Sequence, residues 1–414
     1  METLGESSNN RRDFLKKTTL ASAAAATLGG ITGLNAATSK PVTASPLIGP
    51  KDKIKITKVE TFVLKNSWVF IKISTDAGIT GWGEMLKDDA KACAAGAMEV
   101  GSTYLIGKDP RPVVKHWQAI HRGAFYRGGP IKTAILSGID QALWDIKGKC
   151  FGVPVYELLG GATRDKALVY GTEPDYKTGV KHIKVGPKGS RTAFKYNEGH
   201  KMIDEVVERF VALKEKHPDV DIALDFHGAV QPTTASLLIK ALEPHRPWFL
   251  EEVVQALNVD VMADLAKKTL IPLATGERIF TKWGFREVLE KGAAMILQPD
   301  VNYAGGITEL RLIAGMAEAY YAPIAPHNPN GPCSLAASLQ IAACVPNFLV
   351  QERGGREHEL LAVPLPPVVD GYRPIPTGPG LGITIDEDKL MNEVGEPRPY
   401  LTSYDPDDNS VIDW

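Results

Sequence analysis

The feature that most constrains how this chain can fold is the regular recurrence of an ionisable group at the end of a short apolar run. IALD stops at Asp225, WFLEE at Glu251 and Glu252, IPLATGE at Glu277, ILQPD at Asp300, YAPIAPH at His327 and FLVQE at Glu352. Successive ends lie 23 to 27 residues apart, and Glu251 rather than Glu252 keeps the period. That spacing is one strand, one helix and their turns. A single acid after a strand is most often a helix cap or a loop residue. Six in register are what a (β/α)₈ barrel delivers to the C-terminal ends of its strands, where such barrels build their sites. The expected fold class is therefore α/β, with a TIM-type barrel over residues 166–360. In IALDFHG, Asp225 and His227 are two positions apart and share a face if the strand persists that far.

Before the barrel the grammar differs. IKITKVETFVLKN and WVFIKISTDAGITGWGE read as strands with TDAG as a turn, and a helix-rich stretch follows that closes at LGG. Strands followed by helices without alternation predict a separate α+β capping domain over residues 54–165. Asp140 and Asp145 fall on a helical pattern there and are expected to be solvated or to cap. Residues 361–414 are expected to return to the cap domain. Between ALVYG and HIKVG only about ten residues remain, too few for a full barrel helix, so the first helix is expected to be shortened or replaced by a loop.

With 47 basic and 49 acidic residues the net charge is −2, which offers no electrostatic case for nucleic acid. The expected partner is a small molecule. Cys93, Cys150, Cys333 and Cys344 have no CxxC spacing and read as ordinary buried or half-buried thiols. Residues 1–45 are of another kind: Arg11 and Arg12 precede Phe14 and Leu15, and an Ala, Gly and Thr-rich run follows. This is the pattern of a twin-arginine-type signal peptide and linker, predicting export to the periplasm; a basic leader on a cytoplasmic enzyme is the alternative. The apolar run is too broken to span a membrane, and nothing later in the chain is long and apolar enough.

Asp225, Glu251 and Glu277 end adjacent strands and form an all-oxygen set without cysteine, which suits a hard divalent cation, Mg²⁺ above all. The alternative is that these acids pair with Lys and Arg, for instance Arg278. His327 and Asp300 end neighbouring strands, where a carboxylate can orient an imidazole. His227 lies beside the first candidate ligand, so two histidines flank the cluster and could take and deliver protons from opposite sides of a substrate.

DFHG, FLEEV, ATGER, ILQPD, APHNPNGP and FLVQE, with GWGE, YLIGKDP, FYRGGP and GIDQALWDIKGK earlier in the chain, resemble the signatures of the enolase superfamily, in its mandelate racemase and muconate lactonizing branch. The resemblance covers nearly all of residues 54–414 and is nearest to the members that dehydrate galactonate. It implies that Asp225, Glu251 and Glu277 hold Mg²⁺. It further implies that His327, supported by Asp300, removes the proton next to a substrate carboxylate, and that His227 helps the β-hydroxyl leave. Glu352 falls where a carboxyl hydrogen-bonds the substrate or the enediolate. The implied reaction is dehydration of a sugar acid, and barrels of this kind often self-associate.

The chain also departs from the family pattern. Lys184 stands where the second strand often has a lysine but is followed by VGP, so it is a weak candidate; Val253 replaces the usual proline, and the loop after GWGE reads MLKDDA. Alternative readings are a racemase or epimerase using both histidines, a glycoside hydrolase with a carboxylate pair, or a catalytically impaired binding protein on the same fold.

Overall fold

The computed structural model describes residues 47–187, 199–354, 359–399, 402–405 and 407–412, so the expected leader lies outside the described residues. The first elements are three antiparallel strands, β1 (Ile56–Val63), β2 (Val69–Thr75) and β3 (Thr80–Met85). Helices α1 (Ala90–Val100), α2 (Val113–Gly123) and α3 (Pro130–Phe151) follow, then the single turn α4 (Val155–Leu158). Helix α3 starts with Pro130 at its first turn and stops at Gly152, whose φ of 68° suits glycine. It is buried on nearly every face because it lies against β3 on one side and against the barrel helix Gly306–Ala319 on another. Gly81 and Gly83 make the first contact: a Cβ at either would strike the carbonyl of Ala142 or Gly138.

The barrel alternates as follows: β4 (Lys166–Tyr170), β5 (His182–Val185), α5 (His200–Lys216), β6 (Asp221–Asp225), α6 (Pro232–Leu242), β7 (Leu250–Glu251) and α7 (Val259–Ala266). It continues with β8 (Leu273–Thr275), α8 (Thr281–Lys291), β9 (Ile296–Leu297), α9 (Gly306–Ala319), α10 (Pro332–Cys344) and β10 (Gln351–Glu352). Strands β5 to β9 pair in parallel and in order. Parallel bridges Leu297↔Ile324 and Ile324↔Phe348 carry the ring onward, β10 pairs with β4, and Gly171↔Ile183 joins β4 to β5. The ring is thus closed through eight parallel positions, with the segment at Ile324 as the seventh. Between β4 and β5 there is only a 3₁₀ stretch, Glu173–Thr178, in place of an α-helix, as the short interval predicts.

One layer of the barrel interior explains where the strand ends point. Tyr170, Ala223, Phe249, Ala274, Ile296, Ala325 and Val350 form a buried cluster, with bulky and small residues alternating around the ring. Asp225, Glu251, Gln298, His327 and Glu352 each stand two residues beyond a member of that layer, which is the next position on the same face. An apolar floor therefore carries a polar ring above it.

The C-terminal residues form β11 (Tyr372–Pro374), antiparallel to β4, then α11 (Glu387–Glu393) and the pair β12 (Ser403–Tyr404) and β13 (Val411–Ile412). Lys72 pairs with Glu387 at 2.6 Å and Lys65 donates to the carbonyl of Asn392 at 2.8 Å, so this segment meets the first sheet. All four cysteines are buried and free. No helix among the described residues is long and apolar enough to cross a membrane.

Asp140 and Asp145 are not solvated: they are 1% and 2% exposed. Asp140 accepts from the backbone N–H of Thr308 at 2.9 Å and from its hydroxyl at 2.5 Å. Asp145 accepts from the backbone of Trp82 at 3.0 Å and Leu381 at 2.9 Å, and pairs with Lys149 at 2.7 Å. The capping half of the expectation survives for Asp140, which serves the first turn of α9 rather than its own helix, and fails for Asp145, which serves β3 and the segment at Leu381.

Candidate active site and metal centre

The strand of IALDFHG ends at Asp225, and His227 adopts a left-handed φ of 50°, so alternation along a strand does not bring the two together. A turn does: the His227 backbone N–H donates to Asp225 Oδ1 at 3.2 Å and its Nε2 lies 3.3 Å from Oδ2. Positive φ in a residue with a side chain is uncommon and concentrates at functional sites.

Asp225, Glu251 and Glu277 each offer one carboxylate oxygen within 4.8 Å of the others. Glu251 is fully buried, and its second oxygen accepts from Gln298 Nε2 at 2.5 Å. Burial and the neighbouring Asp225 push Glu251 well above the usual carboxylate range. Asp225 is raised by burial as well, but Lys184 and His227 outweigh that and hold it low. Two carboxyls displaced in opposite directions are the mark of anions that cannot both ionise without more positive charge. An all-oxygen donor set under that condition fits a divalent cation.

Lys184, a weak candidate from its sequence context, lies at the centre. Its Nζ is 2.9 Å from Glu251, 3.1 Å from Asp225 and 3.1 Å from Glu352, and it sits over the ring of Tyr170 at 5.5 Å. The pairing alternative is thus realised in part, by Lys184 rather than by Arg278. Arg278 instead binds Glu252, through Nε at 2.9 Å and Nη2 at 2.5 Å, and Gln255 at 3.3 Å. That leaves Glu252, adjacent in sequence to Glu251, buried in a separate ion pair with a left-handed φ of 41°.

Across the cluster, His327 Nδ1 is 2.8 Å from Asp300 Oδ2, and its Nε2 faces Glu277 at 2.9 Å and Glu352 at 3.8 Å. Burial lowers the affinity of His327 for a proton, but Glu277, Glu352 and Asp300 more than reverse this and raise its pKa well above the ordinary value. The same contact works on Glu277: burial raises it, His327 overrides burial, and it settles at about 2. Glu352 Oε2 accepts from the backbone of Asn328 at 2.6 Å, which fixes its aim. His227 is raised by its hydrogen bond to Asp225, with burial opposing.

The structure therefore brings Asp225, Glu251, Glu277, His227, His327, Asp300 and Glu352 to one end of the barrel. Sequence reasoning missed Gln298, although it stands two residues beyond Ile296 of the apolar layer, the same step that leads to Glu251 and His327. It also missed Tyr170, whose buried ring lies beneath Lys184. Asn330, which donates to Asp300 Oδ2 at 2.8 Å, was missed too, because its position depends on a loop with no periodicity.

The chain is similar to proteins of known name. A D-galactonate dehydratase of Ralstonia nicotianae is 43% identical over 386 residues, covering 87% of this chain and 100% of that protein. One from Ralstonia pickettii is 41% identical with the same coverage. Among solved structures, an enolase from Agrobacterium radiobacter described as a candidate galactarate dehydratase, with bound sodium and L-malate, superposes with a TM-score of 0.79. It is 29% identical and the match covers 86% of this chain and 99% of that one. Residues 50–160 match the mandelate racemase / muconate lactonizing enzyme N-terminal domain and residues 176–389 the enolase C-terminal domain-like family, so the chain belongs to the mandelate racemase / muconate lactonizing enzyme family of the enolase superfamily.

Proposed function

We propose that this chain is an Mg²⁺-dependent acid-sugar dehydratase that converts D-galactonate to its 2-keto-3-deoxy acid. It is a hydro-lyase of the kind its relatives are named for. The observation that carries the reading is the placement of two imidazoles at opposite members of one carboxylate cluster, His227 against Asp225 and His327 against Glu277. Asp225, Glu251 and Glu277 would hold Mg²⁺, which supplies positive charge to a substrate carboxylate as its α-carbon loses a proton.

His327 is the base. Asp300 accepts at Nδ1 and so fixes the tautomer that leaves Nε2 as the acceptor facing the cluster. The α-C–H bond breaks, the proton goes to His327 Nε2, and the electron pair moves toward the substrate carboxylate. His227, whose protonated form Asp225 favours, is the acid: it gives its proton to the β-hydroxyl as the C–O bond breaks, and water leaves. The enol that remains tautomerises to the 2-keto acid. Glu352, aimed by the Asn328 backbone, is placed to hydrogen-bond the substrate.

The paired Arg11 and Arg12 support export by a twin-arginine-type route, with the periplasm as the place of action. The test of function is a screen of the purified full chain against acid sugars with Mg²⁺, reading out 2-keto-3-deoxy acids and repeating each hit with EDTA. D-Galactonate turnover that EDTA abolishes is the expected result. Turnover that survives EDTA sinks the metal assignment, and α-proton loss without a keto acid would mark a racemase.

A further inference from the structure

The helices that follow the two strands of the Asp300–His327 pair begin alike. Helix α9 is preceded by Gly305 and α10 by Gly331, and neither glycine has a side chain to cap the first turn. Exposed backbone donors at a helix start need an acceptor. Both acceptors come from the cap domain. Asp140 of α3 receives the Thr308 N–H at 2.9 Å, while Glu84 of β3 receives the Gly331 N–H at 2.6 Å and the Ser334 N–H at 3.1 Å.

Glu84 is fully buried and its backbone is itself held: Gln141 of α3 accepts from the Glu84 N–H at 3.2 Å and donates to its carbonyl at 3.0 Å. From these anchors two short paths reach the base. Gln141 donates to Asn302 at 3.0 Å, and the Asn302 backbone donates to Asp300 Oδ1 at 2.8 Å. Within the loop that Glu84 ties down, Asn330 donates to Asp300 Oδ2 at 2.8 Å, the oxygen that faces His327 Nδ1. Gly331 has no room for a side chain, since a Cβ there would lie 2.9 Å from the Glu84 carboxylate. The close approach is therefore built into the sequence on both sides.

We propose that Glu84 is a positioning residue through which the cap domain sets the aim of the Asp300–His327 pair, so that the base is aligned when cap and barrel are docked. The inference rests on the functional reading above and deepens it. It gives GWGE, a motif without a chemical role of its own, a task at the reacting centre. A carboxylate at a helix start is also favoured by the helix dipole, which keeps Glu84 on the N-terminus of α10 despite burial.

The test uses the full chain with Glu84→Gln, Asn330→Ala and the double variant. Glu84→Gln keeps the shape and one acceptor oxygen. It is expected to lower kcat roughly 10- to 100-fold, as misplaced catalytic groups do, with substrate KM and Mg²⁺ affinity little changed. In the double variant the second change is expected to add little to the first, because both act along one path. A folded Glu84→Gln protein with wild-type kcat overturns the proposal, as does a double variant whose loss is the product of the two single losses. A structural role alone would reduce the folded fraction and leave the kcat of what remains unchanged.

A second readout does not need turnover. The His327 Nδ1–H in its bond to Asp300 is expected to give a downfield proton resonance, to be assigned by its disappearance in His327→Asn. Glu84→Gln is expected to shift or broaden it, and an unmoved line refutes the positioning role. If the wild-type protein turns over no acid sugar, the functional reading fails, while this resonance still decides the fate of Glu84.

Discussion

The two histidines of the site are held in opposite ways. His327 has 15% of its side chain exposed and is fixed at Nδ1 by Asp300, which is itself held by Asn330 and by the backbone of Asn302. His227 has 40% of its side chain exposed and stands on a left-handed turn beside Asp225. The difference fits the two tasks proposed for them. A proton next to a carboxylate is weakly acidic, so its acceptor must be locked in line with it. A donor to a leaving hydroxyl must be reloaded after each turnover, and contact with solvent serves that.

The contrast is broken most directly at His327. Replacing it by Asn should cost roughly 10³- to 10⁴-fold in dehydration, the range of a positioned base, and should also stop exchange of the α-proton with D₂O followed by NMR. Retained dehydration would remove His327 from the role assigned to it. His227→Asn should cost less, roughly 10²-fold in product formation, and should spare α-proton exchange, since the base is intact. If the His227 variant loses exchange to the same degree as dehydration, the two histidines act as one unit and the division of labour is wrong.

What the sequence made legible was whatever periodicity fixes. Inward positions recur every second residue and strand ends every βα unit, so the sequence alone places the acids and His327, and the missing first helix as well. Three things were not legible for physical reasons. His227 meets Asp225 through a left-handed turn, and strand alternation carries no information about such turns. Lys184 has VGP after it, and only the approach of β5 to β6 shows that its ammonium reaches three carboxylates. Asp140 looked like a helix-surface acid because nothing in a local pattern reveals that a second domain packs against that face.

The smallest expected effect separates the acids of the domain interface from those of the site. Burial pushes Glu84 from 4.5 to about 7 and Asp140 from 3.8 to about 7. A carboxyl raised in the folded state binds its proton more tightly there than in the unfolded chain. Its contribution to stability is therefore full below the unfolded value and is lost as pH rises through about 7. Glu277 has the opposite sign: its folded value of about 2 means that its contribution is present above 4.5 and lost as pH falls through 2. Metal-free protein should accordingly melt at a lower temperature at pH 8 than at pH 5, and Glu84→Gln should flatten part of that fall, because glutamine does not titrate there. At about 1.4 kcal/mol per pK unit, the difference in slope is expected to amount to ~1–3 °C across the window in a chain of this size. Melting curves of the two proteins at matched pH values measure it. Parallel curves, displaced but equal in slope, would mean that Glu84 ionises alike in the folded and unfolded chain, and that the α10 N-terminus and its buried surroundings cancel each other at this carboxylate.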